Sequence, residues 1–118
     1  MKTFNFKFYN KNYNMAFYLA KYKIDNSIYI GINFYNKEYE QFELWNDLTI
    51  YLDNTNTNDI LKDNEIYINN DLSNELKNKL IELGFIKLLN KKVYQGFGEY
   101  EKAKINIDKI KEYTMEED

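Results

Sequence analysis

Residues 28–35 read Ile28-Tyr29-Ile30-Gly31-Ile32-Asn33-Phe34-Tyr35. Ile28, Ile30, Ile32 and Phe34 alternate with Tyr29, Gly31, Asn33 and Tyr35, and successive side chains on a strand point to opposite faces. The stretch is therefore a half-buried strand with one core face. Turn signals bracket it, Asp25-Asn26-Ser27 before and Asn36-Lys37-Glu38 after, and short turns between alternating runs predict hairpins and an antiparallel sheet.

Upstream, Met15 to Ile24 reads as a second strand and Asn10 to Asn14 as a turn. Thr3 to Phe8 is an alternating strand with Phe4, Phe6 and Phe8 on its core face. Downstream, Tyr39 to Trp45 pairs back, a bulge falls at Asn46-Asp47, and Leu48, Ile50 and Leu52 restore the alternation. Residues 53–64 are polar and rich in Asn and Thr, which predicts a mobile surface loop. Glu65 to Ile68 is a short strand.

Asn70-Asp71 then offers a helix cap ahead of Leu72, Leu76, Leu80 and Leu83, which share one helical face. Gly84 ends this helix, and with Gly84 in the left-handed region Phe85 falls opposite Leu80, the contact of a Schellman stop. Phe85 to Tyr94 and Phe97 to Ile107 form a closing strand pair joined at Gln95-Gly96, and Asp108 to Tyr113 a short C-terminal helix. The expected fold is α+β: a single domain over residues 1–118 with a curved antiparallel sheet of about six strands. One main helix packs on a sheet face, and residues 114–118 form an acidic tail.

Apolar residues make up 44% of the chain and aromatics 18%, enough apolar surface to offset the entropy of ordering. No apolar run reaches the roughly 20 residues that cross a bilayer, and no signal-peptide block follows Met1, so the expectation is a cytoplasmic protein without membrane contact. The absence of cysteine fits a reducing compartment. Asn, Lys, Ile, Tyr and Phe, all encoded by codons beginning with two A or T bases, exceed half of the chain, so part of the Asn and Tyr richness reflects an AT-rich gene. A net charge of −3 with no arginine disfavours direct nucleic-acid binding, which needs a basic face.

The chain has no histidine and no cysteine. That removes the commonest general base, the thiol nucleophile and every Cys/His metal site. With four glycines there is no phosphate-cradling loop and no nucleophile elbow. The E-x-K triplet Glu75-Leu76-Lys77 falls on the predicted helix, where it reads as a solvated face and not as part of a metal-dependent nuclease. Asn54, Asn56, Asn58 and Glu65 match calcium-loop positions 1, 3, 5 and 12, but position 6 is Asp59 where glycine is required. The expectation is no catalytic residue, no metal and no cofactor. Recognition falls to aromatic side chains beside turns and the bulge, Tyr35, Tyr39, Trp45, Tyr51, Phe97 and Tyr100, because Tyr and Trp dominate interface hot spots.

Asp47-Leu48-Thr49-Ile50-Tyr51-Leu52, Ile66-Tyr67-Ile68-Asn69-Asn70, the helix from Leu72 to Gly84 and Gly96-Phe97-Gly98-Glu99-Tyr100 occur in the order of a family pattern. That pattern is a D-L-T-x-x-L strand, an apolar strand ending in Asn-Asn, a helix closed by Gly, and a late G-F-x-x-Y strand. The stretch from Tyr29 to Ile107 so resembles a family of bacterial domains of unknown function carried on plasmids, conjugative elements and phages. The chain departs from the pattern in lacking a Pro after the final Tyr and an Asp-Thr before Asn-Asn. The resemblance implies no catalytic residues; it implies a small accessory protein of a mobile element, of the kind that blocks a host defence protein by binding it, as anti-CRISPR proteins do. Two other readings stand beside it: a domain that self-assembles as a homodimer through a sheet edge, and a small-molecule binder.

Overall fold

The computed structural model describes residues 1–53, 57 and 59–115. In chain order the elements are β1 (Phe4–Phe8), β2 (Lys11–Lys21), β3 (Ile28–Asn36), β4 (Gln41–Asp47), β5 (Glu65–Tyr67), α1 (Asn74–Glu82), β6 (Ile86–Gln95), β7 (Gly98–Ile105) and α2 (Ile107–Glu112). The first four strands form a meander in the order β1-β2-β3-β4, and the last three a separate sheet in the order β5-β7-β6. Every strand pair is antiparallel. The α+β class holds. The single sheet of about six strands does not: among the described residues there are seven strands in two sheets.

The division falls at residues 48–52, where the alternation continues but the chain changes partners. Leu48 N donates to Ile30 O at 2.9 Å, still along the first sheet, while Ile50 N donates to Tyr67 O at 3.1 Å on the second. Thr49 bridges Ile68. Leu48 is buried in the main core, and Leu52 in a smaller cluster with Tyr67 and Val93. A period of two reports which side chains are buried; it does not report which strand lies alongside.

Phe4, Phe6, Phe17, Ile30 and Ile32 of the meander share one buried cluster with Ile66, Ile68, Ile86 and Ile105 of the second sheet, Leu76 and Leu80 of α1, and Ile110 of α2. The β1–β2 turn is tighter than the sequence suggests. Tyr9 and Asn10 both have positive φ, as a two-residue primed hairpin requires, so β2 begins at Lys11 and not after Asn14. In β4 the extra residue is Trp45, between Leu44 opposite Asn33 and Asn46 opposite Ile32, so the bulge sits one residue before its expected place.

Helix α1 starts two residues later than expected, capped by Ser73, whose Oγ accepts from Leu76 N at 3.2 Å. Asn70 and its neighbour Asn69 serve elsewhere: Asn69 Nδ2 donates to Asp47 O and Asn70 Nδ2 to Glu99 O, each at 3.0 Å. The C-terminal stop is a complete Schellman motif. Phe85 N donates to Leu80 O and Gly84 N to Ile81 O, both at 3.0 Å, with Gly84 at φ +80°. The Lys109 ammonium donates to the Leu83 carbonyl, satisfying one more helix-end acceptor. Beyond α2, Phe17 N donates to Tyr113 O and Met115 N to Phe17 O, both at 2.8 Å, so the chain end runs alongside β2 where β1 stops. Among the described residues no helix is long and apolar enough to cross a membrane.

Candidate functional site

The β6–β7 hairpin closes at the Gln95–Gly98 pair with Gly96 and Phe97 between. Gly96 sits at φ +59°, a backbone that glycine adopts without strain and that suits the first central position of a primed turn. Phe97, at the second position, is fully exposed, and Tyr94 beside it is largely exposed. Two features fix the tip. Gln95 Oε1 accepts from Asp53 N at 2.9 Å, and the Tyr100 ring lies along Gly98, where an added Cβ would stand 2.6 Å from the phenol oxygen. On the flank, Lys92 pairs with Glu99 at 2.7 Å. The hairpin therefore presents one apolar ring on a backbone held from both sides.

Its base rests on a buried polar cluster. Leu88 pairs with Ala103 and Lys92 with Glu101, so Leu89, Asn90 and Lys91 face only Lys102, and Asn90 takes φ +55°. This wide bulge turns Lys91 onto Asp59, 2.6 Å away. Lys102, 4% exposed, reaches Asp59 at 3.1 Å, Glu65 at 3.0 Å and the Ile60 carbonyl at 3.0 Å. Asp59, 5% exposed, also accepts from Tyr67 Oη at 2.6 Å, and Glu65 accepts from Lys62 N at 2.8 Å. Two ammoniums and two carboxylates balance, and each buried charge has several partners.

The electrostatics follow from this geometry. Burial pushes the Asp59 carboxyl up, but hydrogen bonds from Lys91, Tyr67 and Lys102 outweigh it and hold the group at about 2. Burial lowers the Lys102 ammonium, and Glu65 and Asp59 more than reverse this. Burial, then the bond to Asp59, raises the Tyr67 phenol above its ordinary value. Strongly shifted groups in a cleft are candidates for catalysis. Here they are engaged with one another and clamp residues 59–65 onto the second sheet, beneath the hairpin.

A second polar cluster lies where the sheets part. Tyr29 Oη donates to Asp47 Oδ1 at 2.5 Å, Ile30 N donates to Thr49 Oγ1 at 3.2 Å, and the Tyr22 hydroxyl lies 3.0 Å from Thr49 Oγ1. Burial and Asp47 raise the Tyr29 phenol. The Asp47-Leu48-Thr49 stretch thus anchors the crossover between sheets.

The six aromatics expected to bind a partner fall in three places. Tyr35 and Tyr39 belong to the β3–β4 hairpin, Tyr35 half-buried with its ring 5.3 Å from Phe42, and Tyr39 exposed in the turn. Trp45 packs at the core margin with its ring edge-on to Phe6, Phe8, Tyr13 and Phe34, and Tyr51 lies half-buried with its ring tilted against Tyr22 at 5.6 Å. Tyr100 covers the small cluster of Leu52, Tyr67 and Val93. Phe97 alone of the six is fully presented. The sequence reading passed over Tyr94 and Tyr9, both largely exposed, and the Asp59–Lys102 cluster.

Of the calcium-loop positions, Asn54, Asn56 and Asn58 lie outside the described residues, as do residues 116–118 of the acidic tail and part of the loop expected to be mobile. Among the described residues no three His, Cys, Asp or Glu side chains gather as a metal site. The E-x-K lysine, Lys77, is not a freely solvated group: it pairs with Glu101 at 2.6 Å.

Among the described residues, two antiparallel sheets, two short helices and a projecting hairpin define a small α+β domain. The chain belongs to the family described as a domain of unknown function (DUF4313), which matches residues 16–117. No curated protein and no solved structure matches the chain.

Proposed function

We propose that the chain is a non-catalytic protein-binding module that docks through the β6–β7 hairpin, with Phe97 as the anchor inserted into an apolar pocket of its partner. The observation that carries this reading is a fully exposed phenylalanine on a turn braced by Gln95 and Tyr100. A solvated ring costs free energy in the unbound protein, and a rigid aromatic loses little entropy on insertion, the combination found at interface hot spots. Tyr94 and the Lys92–Glu99 pair supply a rim around the anchor.

The partner is a bacterial host defence protein, and the chain is an anti-CRISPR-like inhibitor from a phage or other mobile element, acting in the host cytoplasm. Support for this target class comes from the family pattern in the sequence together with the engagement of the shifted ionisable groups in internal contacts. Mixing the purified chain with a panel of defence nucleases and following complex formation by size-exclusion chromatography tests it. A stable complex with one of them is expected, and failure to bind any of them counts against the target class.

A further inference from the structure

We propose that the outer face of the β1–β4 meander docks on the same face of a second copy of the chain, forming a reversible two-fold dimer that leaves the Phe97 hairpin of each copy free. The core cluster takes the opposite face of these strands. The outer face carries Tyr35 beside Phe42 in register, and Asn33 beside Leu44, which is 59% exposed. An exposed apolar patch of this kind on a sheet face marks an interaction surface.

Two observations select a second copy as the occupant. First, alternation in the strand register puts only two charged side chains on this face, Lys7 of β1 and Asp47 of β4, at diagonally opposite corners. Neither forms an ion pair among the described residues. A two-fold axis lying between the faces and across that diagonal sets Lys7 of each copy over Asp47 of the other, so the face is complementary to itself.

Second, the area suits a reversible contact. Four strands about 4.8 Å apart and roughly seven residues long give a footprint of about 400 Å² per copy, under the roughly 1,200 Å² total of stable complexes.

Sedimentation velocity from about 10 µM to about 1 mM tests this. The wild type is expected to shift from monomer to dimer within that range, and Leu44→Lys, at an exposed position, to remain monomeric with an unchanged melting temperature. Lys7→Glu and Asp47→Lys each replace two attractions by two repulsions and weaken the dimer at least about tenfold, whereas an equal mixture of the two variants restores it. Should Asp47→Lys fail to fold through loss of the Tyr29 bond, Lys7→Glu and Leu44→Lys decide. A wild type that is monomeric throughout, or a dimer indifferent to Leu44→Lys and Lys7→Glu, overturns the proposal. Phe97→Ser is expected to leave dimerisation unchanged, which separates this contact from the hairpin's.

Discussion

Replacing Lys102 by methionine probes the cluster beneath the hairpin. The change keeps the aliphatic stem and removes the ammonium that joins Asp59, Glu65 and the Ile60 carbonyl. Breaking one partner out of a buried ion-pair cluster costs about 3 to 5 kcal/mol, because the remaining charges stay desolvated. The low end applies here: Asp59 retains Lys91 and Tyr67, and Glu65 retains the Lys62 amide. A cost of about 3 kcal/mol corresponds to a fall of roughly 10 °C in melting temperature for a domain of this size. Lys91→Ala is the control, since that side chain is 58% exposed and such pairs contribute about 1 kcal/mol or less. Calorimetry on both variants, on Asp59→Asn, and on Lys102→Met combined with Asp59→Asn reads the coupling directly. The double variant should lose less than the sum of the singles. A Lys102→Met protein melting within about 2 °C of the wild type would refute the reasoning, because the segment from Asp59 to Glu65 would then be held by something else.

Acid supplies an independent reading of the same cluster. The folded Asp59 carboxyl at about 2 lies below its unfolded value near 4, so its stabilisation is present above pH 4 and lost as the pH falls towards 2. Unfolding titrations should show about 2 kcal/mol disappearing over that window in the wild type, and little of that loss in Asp59→Asn. At the end of α1, Gly84→Ala forces an L side chain to φ +80° and should lower stability by about 1 kcal/mol; an unchanged denaturant midpoint would contradict the Schellman assignment.

Features set by neighbouring residues were legible in the sequence. Leu80, Gly84 and Phe85 lie within one turn and its stop, and the helix end formed as read. Ile28 to Tyr35 alternates without interruption, and Ile30 and Ile32 fall on the core face of β3 as read, although Gly31 and Asn33 on its other face are buried as well. Features set by distant partners were not. Leu48 to Leu52 alternates like a strand while passing between two sheets, because alternation records burial and the partner is chosen by packing. Asn69, Asn70, Asp71 and Ser73 are all capping residues, and contacts to Asp47 and Glu99 decided which of them capped α1. Lys102 shares its strand face with Tyr100 and Lys104 and reads as solvated; only the return of Asp59 over that face buries it. Phe97 was findable because glycines on both sides mark a turn, whereas Trp45, also beside a bulge, was drawn into the core margin by four neighbouring rings.

Phe97→Ser offers the most direct test that the molecule works by presenting a surface. Titrating wild type and variant against a defence nuclease that the wild type binds, with the melting temperature of each measured alongside, should show affinity falling by a factor of about 30 or more. Thermal stability should stay the same, since the ring touches solvent in the free protein. A variant that binds as tightly as the wild type would remove the hairpin from the interface and contradict the account.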